Sequence, residues 1–155
     1  MSIAEFFHAL YPDGLPDGTW GYVWTLPGRT SHWGNTVDQL TASAARACEA
    51  NQDVYFGVAL SRTKGTRSTR VKATEAAAIP GLWLDLDYAD PVHKKPNLPD
   101  RVDALEFLLS GPEKPSIVIH SGHGYQAWWL FDRPWVFKDA AEVAEAQALP
   151  QAWCR

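Results

Sequence analysis

The chain has 155 residues, of which 46% are hydrophobic, and its formal net charge is -4. This length and composition predict one globular domain over residues 1–155 and exclude intrinsic disorder. The acidic balance argues against a protein that coats nucleic acid non-specifically, although a local basic patch could still hold phosphates.

The cysteines and the hydropathy of the chain indicate in which cellular compartment the protein should be found. Cys48 and Cys154 are the two cysteines, and their wide separation indicates neither a disulfide framework nor a thiolate zinc site. The first residues lack the cationic and apolar regions of an export signal, and no apolar run reaches about 18 residues. We therefore expect a cytoplasmic protein without a membrane partner.

The first sixty residues predict two helices and two strands. Ser2 and Glu5 have capping-box spacing, so a helix should begin there and end near Leu10. Turn sequences follow, and residues 20–26 form an aromatic strand that Pro27 ends. Thr36 begins a second helix that reaches about residue 51. Residues 54–60 are nearly all apolar and predict a central strand.

Residues 61–72 differ sharply in composition from the strand before them. They carry no acid, and their glycine, serine and threonine content predicts a mobile loop. One interpretation is a solvated surface loop. The other is a nucleic-acid contact, since mobile positive charge beside a metal site would engage phosphates. The candidate residues are Arg62, Lys64, Arg67, Arg70 and Lys72.

Residues 81–88 predict a strand that ends by presenting two carboxylates. In an extended strand alternate side chains share a face, so Trp83, Asp85 and Asp87 point away from the leucines between them. The two aspartates would lie about 7 Å apart at their Cα atoms, close enough for Mg²⁺ or Mn²⁺ to bridge them. The alternative is a strand end followed by a turn.

A helix and a hairpin follow the acidic strand. Asp100 should cap a helix whose apolar stripe is Val102, Leu105, Phe107, Leu108 and Leu109. Residues 116–120 are β-branched and predict a strand, so strand, helix and strand form a βαβ-like unit. A glycine-containing turn at residues 121–125 leads into a further strand, which should end at residues 132–134. A helix should then occupy residues 139–149.

The turn after residue 120 combines groups that can bind an anion. Its glycines allow backbone amides to approach an anion closely, and serine, histidine and glutamine add side-chain donors. A purely structural turn is the alternative. The candidate residues are His120, Ser121, Gly122, His123, Gly124 and Gln126.

Taken together, the acidic strand and this hairpin resemble the archaeo-eukaryotic primase superfamily. The matching residues are 81–87 and 115–134, and they look most like primase-polymerase and RepB-like primase domains of phage and plasmid replication proteins. The resemblance implies an α+β fold with a mixed or antiparallel central sheet, an RRM-like primase core, and helices packed on it.

The resemblance also implies a function, namely that of a DNA primase or polymerase in replication of a phage, plasmid or integrated element. Asp85 and Asp87 would hold Mg²⁺ or Mn²⁺ as the catalytic acids, and the hairpin turn would bind a nucleoside triphosphate. Single-stranded DNA would be the template, and a helicase domain or subunit would be a partner.

The sequence departs from that family at two points. Gln126 stands where the family usually carries a histidine, so His123 could take over the triphosphate contact. No third acid on a later strand is recognisable, which predicts a truncated or naturally short catalytic domain. Two alternatives therefore remain: a non-catalytic module that binds nucleotide or single-stranded nucleic acid, and a glycosyltransferase that uses Asp85 and Asp87 as its Asp-x-Asp.

Overall fold

The computed structural model describes residues 1–153 and shows an α+β fold. Four helices pack on two antiparallel sheets, one of three strands and one of four. The helices are α1 (Ile3–Leu10), α2 (Val37–Glu49), α3 (Arg101–Ser110) and α4 (Ala140–Trp153).

The first sheet contains β1 (Gly21–Leu26), β2 (Thr30–Gly34) and β3 (Asp53–Phe56), in the order β2-β1-β3. The sequence did not predict β2, whose Thr-Ser-His-Trp-Gly stretch combines few strong strand formers. The prediction of a central strand over residues 54–60 is wrong. Its first half is the edge strand β3, and the chain leaves this sheet after Phe56. The next residue, Gly57, packs so closely on the Tyr22 ring that a Cβ would collide with it.

The second sheet contains β4 (Leu60–Ser61), β5 (Ala76–Asp87), β6 (Ile117–His120) and β7 (Gly124–Val136), in the order β4-β5-β7-β6. Both β5 and β6 pair antiparallel with β7, so they run parallel to each other with β7 between them. The predicted βαβ-like unit is therefore present in a split form. A bridge between Trp20 and Ser61 connects the two sheets.

Local capping explains where the helices begin. Ser2 and Glu5 form the reciprocal capping box that the sequence predicts. Thr36 caps α2, and the Asp100 carboxylate accepts bonds from two backbone amides of the first turn of α3. Asp139 does the same for α4. All four helices were expected from the sequence at nearly these positions.

Two hydrophobic cores lie on opposite faces of the second sheet. The larger one joins the two sheets, with Phe6 and Phe7 of α1 packing near Trp128 of β7. The smaller core packs Ala104 and Leu108 of α3 onto the other face. Asp85 and Asp87 lie on the same face as Trp128, beyond the end of the larger core.

Two sequence predictions fail in these elements. Within α3 the predicted stripe is only partly buried, because the helix turns Ala104 and Leu108 inward and leaves Val102, Phe107 and Leu109 exposed. The predicted end of β7 at residues 132–134 is instead a bulge. Four residues of β7 stand opposite Pro80, which cannot donate to the ladder, and pairing resumes between Ile79 and Trp135.

Within residues 1–153, no helix has the length and hydropathy needed to cross a membrane. Cys48 is a free, exposed thiol. Cys154 lies outside the described residues.

Candidate functional site

The register between β5 and β7 brings the two sequence motifs together. Asp85 pairs with Gln126, and Asp87 pairs with Gly124 at the start of β7. Directly opposed residues share a face of the sheet, so Asp85, Asp87 and Gln126 form one surface. The Trp83 and Trp128 rings stack at a centroid distance of 6.4 Å and separate this surface from the core.

The two carboxylates differ in their electrostatics. Partial desolvation raises the pKa of Asp85, and the negative charge of Asp87 raises it further. The pKa of Asp87 is lowered instead, chiefly because Lys95 Nζ donates a hydrogen bond of 3.0 Å to Asp87 Oδ2. The two carboxylates therefore repel each other, and Asp87 has Lys95 as a cationic partner.

The segment after β5 supplies groups that sequence reasoning did not place in the site. It folds back so that His93 Nε2 lies 3.7 Å from Asp87 Oδ1 and 2.9 Å from the carbonyl oxygen of His123. A bond from the Ala89 amide to the Pro99 carbonyl closes this segment. The sequence signal was a proline-containing stretch with His-Lys-Lys between the acidic strand and the cap of α3.

The hairpin turn lies beside the acids as an ordered structure. Ser121 donates from its backbone amide and its hydroxyl to the Gly124 carbonyl, and Gly122 has a φ of 106° that favours glycine. The backbone amides of Gly122 and His123 have no acceptor within residues 1–153. His123 Nδ1 lies 3.1 Å from the Asp90 carboxylate. The exposed tip thus offers two amides and an imidazole.

His120 lies on the opposite face of the sheet from Asp85. It pairs with Tyr125, and its ring stacks on Tyr88 with an interplanar angle of 7°. The Tyr88 hydroxyl donates to the Gly122 carbonyl at 2.7 Å and lies 2.8 Å from His120 Nε2. Because the hydroxyl proton is committed to the carbonyl, His120 Nε2 must be the donor in the second bond. His120 therefore supports the turn from behind.

Residues 61–72, here called the basic loop, are packed on the first sheet and do not adjoin the acids. The loop begins at Ser61 of β4, which pairs with Ala76 at the start of β5. Along β5, Ala76 lies about 30 Å from Asp85. The charges that act on Asp85 come from Asp87, Lys95 and His93, and none comes from this loop. Arg62 donates to the Phe137 carbonyl, and Lys72 pairs with Glu75. The structure thus separates these five cations from the two aspartates.

The metal-ligating side chains of the described chain do not gather into a larger cluster. Within residues 1–153, no group of three or more histidine, cysteine, aspartate or glutamate side chains is arranged to hold a metal ion. The candidate metal ligands are thus the two carboxylates of β5 alone, with the histidines and Lys95 around them.

Comparisons with known proteins give no relative. No family model matches the chain, and no curated protein and no solved structure matches it significantly.

Proposed function

We propose that this chain is a metal-dependent nucleotidyltransferase domain of the DNA primase or polymerase type, with an RRM-like core. The observation that carries the proposal is the pairing of Asp85 with Gln126 and of Asp87 with Gly124. Two motifs about thirty residues apart in the sequence become direct neighbours on one surface. Two carboxylates can hold a metal ion and a donor-rich turn can bind phosphates, and both are functions that nucleotidyl transfer uses.

The order of elements supports the core that the resemblance implies. From β5 onward the chain runs β5, α3, β6, β7 and α4, with β7 between the parallel strands β5 and β6. This is the beginning of the split βαβ pattern β-α-β-β-α-β. The acids lie at the end of its first strand, and the turn lies between its next two strands.

Asp85 and Asp87 fit a divalent cation. They share a face two residues apart. Desolvation and then the charge of Asp87 raise the pKa of Asp85, and a bound cation would favour its ionised form. Oxygen ligands of this kind are those that Mg²⁺ and Mn²⁺ prefer. When bound, the ion would neutralise phosphate charge and lower the pKa of an attacking hydroxyl.

The remaining groups would bind the triphosphate. The amides of Gly122 and His123, which have no acceptor within residues 1–153, can donate to phosphate oxygens, and Gln126 lies on the same face of the sheet as Asp85. Lys95 adds positive charge beside Asp87, and the His93 ring lies next to the same carboxylate. Single-stranded DNA is the proposed template, and the cations of residues 61–72 are candidates to contact it.

Binding and extension assays test the proposal. Mn²⁺ binding is measured by electron paramagnetic resonance with and without dATP or ATP, and primer extension is measured on a single-stranded template. Asp85→Asn and Asp87→Asn should lose Mn²⁺-dependent nucleotide binding and any extension. Asp132→Asn, which removes an exposed acid in the β7 bulge, should behave as wild type.

A wild-type protein that binds neither Mn²⁺ nor nucleotide would refute the proposal. Equal binding by the Asp85 and Asp132 variants would instead refute the assignment of the site. Circular dichroism of each variant checks that the fold is retained.

A non-catalytic nucleotide-binding module is the second candidate, and the Lys95 contact favours it. Lys95 Nζ lies 3.0 Å from Asp87, so the chain itself supplies a positive counterion for that carboxylate. Such a module would bind nucleotide equally well in Mn²⁺ and in EDTA, and it would give no extension product. A strict metal requirement for nucleotide binding would exclude it.

A further inference from the structure

The outer face of the first sheet is built from aromatic rings. Trp20, in the isolated bridge just before β1, and Tyr22 and Trp24 within β1 alternate along the extended chain and therefore share a face. Trp33 of β2 stands opposite Tyr22, with ring centroids 5.1 Å apart. Tyr55 of β3 stands opposite Trp24 at 5.5 Å. Five rings thus cover one side of a small sheet.

Cations of the basic loop lie directly on these rings. Arg70 sits over Trp24 at 4.9 Å from the ring centroid, and Lys64 sits over Trp20 at 5.2 Å. Each cation keeps its charge while its flat or apolar portion covers an aromatic face. Positive charge is therefore interleaved with aromatic surface.

The loop is anchored in this position. Trp33 Nε1 donates to the Thr66 carbonyl at 2.8 Å, and the Ser31 amide of β2 donates to the Arg67 carbonyl at 2.7 Å. Gly65 packs so closely that a Cβ would collide with the Trp33 ring. The mobile loop that the sequence predicted is instead held to the sheet, and its cations are pre-positioned.

Part of the surface is open to a ligand. Tyr55 is 50% exposed although it is a large ring on a strand, and the Arg67 side chain is exposed with no hydrogen bond or ion pair within residues 1–153. Asp53 shares a face of β3 with Tyr55, so this surface also includes one acidic side chain.

We propose that this face binds single-stranded nucleic acid, with a base stacked on Tyr55 and the backbone phosphates on Arg67 and Arg70. Aromatic rings alternating with cations that have no acidic partner within residues 1–153 complement the alternating bases and phosphates of a single strand. A duplex keeps its bases stacked inside, so it could use only the cations. The inference rests on the proposed function for its single-stranded ligand and deepens it by locating the binding surface on the first sheet, away from the acidic site.

Fluorescence anisotropy with a labelled oligothymidylate of about 20 nucleotides tests the inference. Tyr55→Ala should weaken binding about tenfold or more, whereas Tyr55→Phe keeps the ring and should bind as wild type. Arg67→Ala and Arg70→Ala should each reduce the slope of log affinity against log salt by roughly 0.7. Phe107→Ala, which removes a ring from α3 that is 62% exposed against 50% for Tyr55, is the matched control.

Three outcomes would overturn the inference. They are wild-type affinity in Tyr55→Ala, an equal loss in Phe107→Ala, and equally tight binding of a duplex of the same length. Salt-dependent binding that is equally tight in wild type and in Tyr55→Ala would point to an acidic partner held by charge alone. It would count against base stacking. Asp85→Asn should bind the oligonucleotide normally, so failure at the acidic site and failure at this face are distinguishable.

Discussion

Asp85 stands directly opposite Gln126 in the antiparallel pair of β5 and β7. An ionised carboxylate and a neutral amide form a cross-strand pair without charge repulsion. The negative charge that repels the Asp85 carboxylate is that of Asp87, two residues further along β5. The pair is thus placed at a cost in electrostatic energy, as is common where groups are arranged for binding.

That cost leads to a prediction for Asp85→Asn. Because the pKa of Asp85 is raised in the folded protein, its ionised form destabilises the fold at neutral pH, and protonation removes the effect as the pH falls. The variant should raise the free energy of unfolding at pH 7 by about 0.5 kcal/mol, a small value because the side chain is exposed. Urea denaturation at pH 7 and pH 3 measures this gain, which should vanish at the lower pH. A variant less stable than wild type at pH 7 would contradict the electrostatic account.

Lys95→Met should have the opposite effect on stability. The pKa of Asp87 is lowered, first by its bond to Lys95, so Asp87 contributes stability above its ordinary pKa and loses it as the pH falls through the native value. Without Lys95 the protein should lose about 0.2–1 kcal/mol at pH 7, and the pKa of Asp87 should rise. Mn²⁺ should bind more tightly, since a competing cation is gone.

Carbon-13 NMR titration of the carboxyl groups measures the pKa of Asp87 directly. Lys94→Met removes the neighbouring exposed lysine and serves as the control. An unchanged titration of Asp87 in Lys95→Met would show that the bond contributes little in solution.

The parts of this structure that the sequence predicts are those that local physics decides. The capping residues Ser2 and Asp100 mark helix starts correctly, because a cap needs only the next three residues. The shared face of Trp83, Asp85 and Asp87 follows from the two-residue period of a strand. Pairing of β5 with β7 then brings the predicted turn to the predicted acids.

The parts that the sequence does not predict depend on contacts between distant residues. Whether His120 or Gln126 faces the acids is decided by strand parity, and a shift of one residue would exchange them. The approach of Lys95 to Asp87 depends on how an irregular proline-containing segment folds back. The anchoring of residues 61–72 depends on β2, a strand that composition does not indicate.

Tyr88→Phe should loosen the hairpin turn. The Tyr88 hydroxyl joins His120 to the Gly122 carbonyl, and the residue is 5% exposed, so its loss leaves two partners without their bond. We expect a decrease of about 1–3 kcal/mol in the free energy of unfolding and faster amide exchange at Gly122 and His123. Hydrogen exchange followed by NMR measures both. Tyr55→Phe removes an exposed hydroxyl and is the control; an equal effect in the two variants would exclude a specific role for Tyr88.

Gly81→Ala should destabilise the protein by forcing β5 and β7 apart. A Cβ at Gly81 would meet the carbonyl oxygen of Trp129 and would lie 2.8 Å from the Cα of Leu130, both of them backbone atoms that cannot turn aside. We expect a loss of about 1–3 kcal/mol, measured by urea denaturation. Gly111→Ala is the control, because the nearest atom to its Cβ lies 3.6 Å away. Equal stability of the two variants would show that the strands can separate at this point, in which case the register that aligns Asp85 with Gln126 would be less firmly fixed than these contacts indicate.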